Sequence, residues 1–149
     1  MFNKLVIIEK INIPDIHIEK LNTVAKEVIY FKDLPNSDEE IIKRIDDADA
    51  VLLSYTSYIN KNILENCKNI KYIGMCCSLY SASSANVDIL TASKLGITVK
   101  GVRDYGDEGV AEYVIHELVG FLQGYKGYKW DDIGHEITGL KCGVIGLGT

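Results

Sequence analysis

Several features that would assign a protein to a class are missing from this 149-residue sequence. No apolar run approaches the roughly 20 residues needed to cross a bilayer. The first ten residues, MFNKLVIIEK, reach a charge too early for a signal peptide. The net charge of −5 lacks the positive footprint that non-specific nucleic-acid binding needs. These absences predict a cytoplasmic protein with neither a membrane nor a nucleic acid as its partner.

Metal and nucleophile signatures are missing as well. The four cysteines form no C-x-x-C pair and no Cys/His cluster with zinc spacing, so no metal site is predicted. Three histidines stand apart from any serine or cysteine with which they could form a triad, and they are His17, His116 and His135. The thiols are expected to be reduced. The adjacent Cys76 and Cys77 should alternate faces on a strand, one buried and one turned elsewhere.

What the sequence does contain is an alternation of short apolar runs with stretches of helical period, the pattern of a parallel α/β sheet. Five strands are predicted from the apolar runs: Leu5–Ile8, Val28–Phe31, Ala50–Ser54, Tyr72–Cys76 and Ile97–Val102. The first helix should run from Pro14 to about Glu27, and Ser37 and Asn60 should cap later helices. This succession predicts a flavodoxin-like three-layer fold that ends near residue 102.

A longer helix is predicted after the sheet, from Asp107 to Gly124. Its apolar residues cover so wide an arc that the helix should be buried on two sides, against a second domain or a partner chain. Because exposed apolar faces drive association, we expect a homodimer through this helix. A further buried strand is predicted at Lys141–Ile145. It leads into the glycines at 146 and 148, which form the first half of a dinucleotide-binding G-x-G-x-x-G.

Ligands of parallel sheets bind at the carboxyl ends of the strands, which directs attention to the loops at 54–57, 77–81 and 103–106. The second of these loops is rich in small hydroxyl residues, and its backbone N–H groups are candidates for a carboxylate-binding nest. The alternative is a plain polar loop in which Asn86 caps the next helix. Glu9 and Ser54 occupy the strand tips where a phospho-acceptor receiver domain carries acids, and this pair does not favour that function.

Ordered blocks along the whole chain resemble the D-isomer-specific 2-hydroxyacid dehydrogenases. They are ADAVLLS, NIKYIGMCCS, ANVDILTASKLGITV, GVRDYGDEGVAEYVIHELVGFL and KCGVIGLG. The resemblance implies a two-domain enzyme that interconverts a small 2-oxo acid and a D-2-hydroxy acid by hydride transfer with NAD, NADP not being excluded. It places a flavodoxin-like substrate domain at 1–102, an interdomain helix and linker at 103–139, and the truncated start of a Rossmann domain at 140–149.

The resemblance also implies a substrate site. The family holds the substrate carboxylate partly on the loop after strand four, which here contains Cys77, Ser78, Leu79 and Tyr80. Tyr55, from the loop after strand three, completes the implied substrate contacts. The family's usual Gly-x-Gly is absent from the loop after strand four, and residues 81–85 look like a short insertion.

Cofactor contacts are implied at the two glycines Gly146 and Gly148, and at Asp107 and Val110 near the start of the long helix. Asp107 stands where the family often has Thr or Ser. The family's catalytic arginine, acid and histidine follow the glycine motif, so no catalytic residue is assigned in this sequence. We therefore expect the front part of a longer enzyme, which by itself neither binds NAD nor turns over. The competing hypothesis is a non-enzymatic flavodoxin-like binding or regulatory module.

Overall fold

A computed structural model describes residues 1–103, 105–125 and 133–146, in two compact units at 1–103 and 104–149. The first unit is a five-stranded sheet, parallel throughout, in the order β2-β1-β3-β4-β5. The strands are β1 (Phe2–Ile7), β2 (Ala25–Tyr30), β3 (Ala50–Leu53), β4 (Tyr72–Ser78) and β5 (Thr98–Val102). This is the strand order of flavodoxin-like sheets, and the predicted fold class is confirmed.

Helices follow the strands in alternation: α1 (Asp15–Lys20), α2 (Asp38–Ile45), α3 (Lys61–Asn66), α4 (Ile89–Lys94) and α5 (Asp107–Leu122). The apolar runs of the strands supply a core on each face of the sheet. Along β1, Val6 packs into the larger cluster with Ile73, while Leu5 and Ile7 pack into the smaller one with Ala25. Burial on both faces explains why the strands are continuously apolar.

Two of the three predicted helix caps are confirmed. The Ser37 hydroxyl accepts a hydrogen bond from Glu40 N at 3.3 Å, and Asn60 accepts one from Ile63 N at 3.0 Å. The third prediction is wrong, because α4 is capped by Asp88 rather than by Asn86. Asn86 lies two residues too early to cap α4 and bonds elsewhere, as described below.

The first helix is shorter than predicted. It ends at Lys20, a 3-10 turn follows at Leu21–Thr23, and β2 already begins at Ala25. Ala25 is buried where it pairs with Phe2 in the parallel register of β1 and β2. The last residues of the predicted helix, from Ala25 onward, thus belong to β2 because they pair with β1 and Ala25 is buried there.

Strand β4 is longer than predicted and irregular at its carboxyl end. Met75 pairs with Gly101, but the next pair is Ser78 with Val102, so Cys76 and Cys77 form a bulge with no partner residues on β5. Cys76 is exposed and Cys77 is half-buried. The two thiols do face different surroundings, but the bulge leaves neither of them fully buried.

A buried arginine anchors the carboxyl end of β1. Arg44 of α2 donates to the carbonyl of Ile8 at 2.8 Å, to the carbonyl of Asp33 at 3.0 Å and to the Asp33 carboxylate at 2.8 Å. It also pairs with Glu40 and lies over the ring of Phe31, 4.6 Å from the centroid. These contacts use the five N–H donors of the guanidinium and hold the backbone immediately before Glu9.

The second unit is built on α5, which starts after Gly106 at φ 73° and carries the predicted wide apolar arc. The side chains of Val110, Val114 and Ile115 are 65%, 55% and 57% exposed. The strand predicted at Lys141–Ile145 is not formed, and these residues are exposed. A strand needs a neighbour for its N–H and C=O groups, and none of the described residues pairs with this segment. No described helix is long and apolar enough to cross a bilayer.

Candidate functional site

The loop that follows β4 rests on a glycine of the neighbouring strand. Leu79 N donates to the carbonyl of Val102 at 3.2 Å. A Cβ on Gly101 would lie 3.2 Å from both Cys77 O and Leu79 N, and it would overlap the Leu79 Cβ. The loop takes this path because residue 101 has no side chain.

Tyr80 and Arg103 form the polar edge of this loop. The Tyr80 side chain is half-exposed, and the Arg103 guanidinium lies over its ring, 5.5 Å from the centroid. Tyr80 N–H and the Arg103 guanidinium have no hydrogen-bond acceptor among the residues that the structure describes. Arg103 is also the only Lys or Arg in the sequence segments 54–60, 79–88 and 103–106. The loop edge therefore offers a positive charge and an N–H donor to an anion.

Beside this loop, a buried carboxylate organises the loop after β3. Glu9 is 0% exposed. Its Oε1 accepts from Ser54 N at 2.6 Å, and its Oε2 accepts from the hydroxyls of Thr56 at 2.6 Å and Ser57 at 2.5 Å. Tyr55 lies between these donors with its side chain 76% exposed.

Asn86 joins the loop after β3 to the loop after β4. Its side-chain amide donates to the carbonyls of Ser54 at 2.6 Å and Ser57 at 2.7 Å. Its side-chain oxygen lies 3.6 Å from the Cys77 sulfur, within reach of the thiol proton. Its backbone carbonyl accepts from Ile59 N at 3.0 Å. One side chain thus links both loops at the carboxyl end of the sheet.

The electrostatics of these loops do not favour a nucleophile. Burial, and then the Glu9 carboxylate, raise the pKa of the Cys77 thiol, so that it stays neutral at pH 7. A neutral thiol is a poor nucleophile and a poor metal ligand. Within the described residues, no group of three or more His, Cys, Asp or Glu is placed to hold a metal ion. The arrangement is suited to binding an anion at the loop edge.

The catalytic-domain model of the family described as D-isomer specific 2-hydroxyacid dehydrogenase matches residues 5–138. This match covers most of the chain and includes the loops just described. The chain belongs to the D-isomer specific 2-hydroxyacid dehydrogenases. Membership of an enzyme family favours the dehydrogenase over the competing hypothesis of a non-enzymatic module.

Named relatives of this chain include two reductases. A hydroxypyruvate reductase of Blautia hydrogenotrophica is 27% identical, over 93% of this chain and 46% of its own length. A glyoxylate reductase of Thermofilum pendens is 28% identical, over 91% and 43%. The chain thus spans less than half the length of these relatives.

Solved structures also match most of this chain with less than half of their own length. An acyclic imino acid reductase in complex with NADPH and D-Arg superposes with a TM-score of 0.66 at 27% identity, over 80% of this chain and 37% of that one. A 3-phosphoglycerate dehydrogenase of Entamoeba histolytica with bound NAD+ gives 0.67 at 23% identity, over 92% and 44%. The second likeness supports the fold alone.

The structure brings the predicted substrate residues close to one another. Cys77, Ser78, Leu79 and Tyr80 form the end of β4 and its loop, and Asn86 ties that loop to the one that carries Tyr55. The Leu79 N–H is already bonded to Val102, whereas the Tyr80 N–H has no acceptor among the described residues.

The predicted cofactor residues lie in the second unit. Asp107 and Val110 are in the first turn of α5, and Gly146 has a φ of 113° in a segment without regular structure. Gly148 lies outside the described residues. The carboxylates of Asp107 and Glu108 at the start of α5 would repel a pyrophosphate. The described residues therefore do not make up a phosphate cradle, and the cofactor contacts stay a prediction.

Four residues of the site were not among the individual contacts predicted from the sequence: Glu9, Asn86, Gly101 and Arg103, although Arg103 lies in the predicted ligand loop at 103–106. Glu9, Gly101 and Arg103 lie at or just beyond the carboxyl end of a strand, and Asn86 lies in the segment between β4 and α4. That position was a usable signal for Glu9 and Arg103, since ligands of parallel sheets bind at the carboxyl ends of the strands. Nothing local distinguishes Gly101 or the long-range bonds of Asn86.

Proposed function

We propose that this chain is the substrate-binding part of an NAD-dependent oxidoreductase, NADP not being excluded, that interconverts a small 2-oxo acid and a D-2-hydroxy acid. The observation that carries the proposal is the loop edge after β4, where Tyr80 N–H and the Arg103 guanidinium face no protein acceptor among the described residues. A 2-oxo acid brings the carboxylate that such donors bind. The names of the two reductase relatives point to the same class of substrate.

Each residue has a defined role in this proposal. Tyr80 N–H and Arg103 bind the substrate carboxylate, and the exposed ring of Tyr55 covers the substrate from the loop after β3. Cys77 and Leu79 form the wall of the site. Because Leu79 packs against Gly101, strand β5 fixes the position of Leu79 in that wall.

The chemistry itself needs groups beyond these loops. A bound nicotinamide supplies the hydride. The carboxylate of Glu9 is enclosed by three donors. The raised pKa of the Cys77 thiol makes it a weak acid, and its proton already faces the Asn86 side-chain oxygen, so neither group is placed to give a proton to a substrate ketone. We therefore expect the 149-residue chain to bind a 2-oxo acid without reducing it. Mixing it with NADH and a panel of 2-oxo acids should leave the absorbance at its blank rate.

Binding can be tested directly by amide NMR of the chain during titration with glyoxylate. We expect millimolar binding that shifts the amides of Cys77, Ser78 and Tyr80. Arg103→Gln should weaken binding about fivefold, because an exposed charge-assisted contact contributes about 1 kcal/mol. The matched control is Lys100→Gln, which removes an exposed cation from β5, three residues before Arg103, and should leave binding unchanged. Shifts confined to other parts of the chain would overturn the proposal.

We also propose that the chain forms a homodimer through the Asp107–Gly124 helix. The support is the exposure of Val110, Val114 and Ile115 on α5, an apolar face of the kind that associates in water. Sedimentation should show a dimer whose dissociation is promoted by Ile115→Glu but not by Glu112→Gln, a neutralising change on the same helix. A monomer at all concentrations would contradict this assembly.

A further inference from the structure

The carboxylate of Glu9 has no part in the chemistry proposed above, although it is the most completely buried charged group in the described residues. It is 0% exposed, against 6% for both Arg44 and Asp49. Burying a charge is costly unless hydrogen bonds compensate for its lost hydration. A charge kept at such a position, beside a candidate ligand site, calls for a physical explanation.

We propose that Glu9 is a positioning residue that acts as a built-in anion. Its carboxylate fixes the loop after β3 and, through Asn86, the loop after β4, in the geometry that receives the substrate. The inference rests on the proposed function, because it concerns the loops that form that substrate site. Nothing in it requires Glu9 to touch the substrate.

The loop after β3 wraps around the Glu9 carboxylate. All three donors to Glu9 come from the four consecutive residues 54–57, one backbone N–H and two hydroxyls. Each bond is charge-assisted and therefore stronger than a neutral one. With residues on both sides of it bound inward, Tyr55 is directed outward, as its 76% exposure shows.

Asn86 connects the loop held by Glu9 to the loop after β4. The two carbonyls that accept from Asn86 belong to Ser54 and Ser57, which are themselves donors to Glu9. The opposite end of the Asn86 amide meets the Cys77 thiol. A change at Glu9 therefore reaches the backbone beneath Tyr80 through residues in direct contact.

The Glu9 carboxylate also affects how a substrate is oriented. The Ser54 N–H and the hydroxyls of Thr56 and Ser57 are already occupied by the Glu9 carboxylate, so a substrate carboxylate would have to displace Glu9 to bind them. The negative charge of Glu9 also disfavours a second anion beside it. The substrate carboxylate is thereby directed to the opposite side of the site, where Arg103 and Tyr80 N–H lie.

The test compares Glu9→Gln with Glu27→Gln by amide hydrogen exchange and NMR of the chain without ligand. Glu27 is an exposed carboxylate on β2, so its variant controls for the loss of one charge from a strand. In Glu9→Gln, Ser54 N–H should exchange about ten- to a hundredfold faster, since a hydrogen bond to a charged group is worth about that factor in an equilibrium constant. The amides of Cys77 and Tyr80 should shift, whereas Glu27→Gln should leave all three unchanged.

Chemical rescue tests whether a carboxylate at this position, rather than the packing of the Glu9 side chain, orders the two loops. Glu9→Ala leaves space where the carboxylate was, and added acetate should restore the Ser54 protection and the Tyr80 shift. Sodium chloride at equal ionic strength should not restore them. If Glu9→Ala does not fold, Ser57→Ala removes one donor instead and should produce the same changes on a smaller scale.

Two results would overturn the proposal. One is unchanged Ser54 exchange in Glu9→Gln, and the other is faster exchange with Cys77 and Tyr80 unmoved, which would show that Asn86 transmits nothing. These measurements need no substrate. A wild-type chain that fails to bind glyoxylate would therefore count against the proposed function and leave the role of Glu9 in ordering the loops to be judged by exchange alone.

Discussion

Replacing Gly101 by alanine would test how tightly the substrate loop is held against the sheet. The added Cβ would overlap the Leu79 Cβ and lie 3.2 Å from Cys77 O. Neither atom is the flexible end of a long side chain, so the loop backbone itself has to move. Overpacking of this kind costs about 1–3 kcal/mol. For a unit of about 100 residues, this corresponds to a fall in Tm of about 4–12 °C.

Gly74→Ala is the matched control, because it also adds a Cβ to the interior of the sheet. Its Cβ would lie 2.5 Å from Leu52 Cδ2, which is the end of a side chain that can rotate away. We expect a smaller fall in Tm and unchanged glyoxylate binding, since Gly74 lies upstream of the bulge. Gly101→Ala, in contrast, should weaken glyoxylate binding together with stability.

The measurements are thermal unfolding by circular dichroism and the glyoxylate titration followed by amide NMR. If Gly101→Ala kept both the Tm and the affinity of the parent chain, the loop would not rest on residue 101 as described. If it lost stability but kept its affinity, the wall formed by Leu79 would not belong to the substrate site.

Three further predictions concern stability and reactivity. Burial opposes the charge of Asp49, but hydrogen bonds from the backbone N–H groups of Lys4 and Asn3 outweigh it and hold the pKa of the carboxyl group below 3.8. The stability that this group contributes is present above that value and is lost as pH falls through the lowered pKa. Asp49→Asn should therefore flatten the pH dependence of the free energy of urea unfolding between about pH 5 and pH 3, and an unchanged slope would contradict this. Asp88→Ala removes the cap on Thr91 N at 2.9 Å and should cost about 1 kcal/mol in urea unfolding, whereas no loss would refute the cap. Burial raises the pKa of Cys67 to about 11, so it should react with a thiol reagent at pH 8 only after unfolding, and rapid native reaction would refute its burial.

The sheet was predictable from the sequence because its signals are local. A run such as Leu5–Ile8 is apolar throughout because both faces of β1 are buried, and burial on both faces leaves the same pattern in any parallel sheet. The caps at Ser37 and Asn60 were equally local, since donor and acceptor are three residues apart. These features need no knowledge of distant partners.

The site was less predictable because its bonds join residues that are far apart in sequence. The partners of Glu9 lie 45 to 48 residues away, and those of Asn86 lie 29 and 32 residues away. Asparagine has a strong local preference for helix caps, and that preference led to the wrong prediction for Asn86. The strand at Lys141–Ile145 failed for a related reason, because an apolar run specifies a strand only where another strand accepts it.

The bulge at Cys76 and Cys77 lies between the regular ladder of the sheet and the loop that follows β4. Upstream of it, Tyr72 through Met75 keep a regular ladder with β5, and the pairing resumes at Ser78. Because the two bulged residues have no partners on β5, they can accommodate a change in the length of the following loop without altering the pairing of Tyr72 through Met75. An engineer wishing to alter the ligand preference could therefore lengthen, shorten or replace the segment after Ser78 while leaving the supporting sheet as it is.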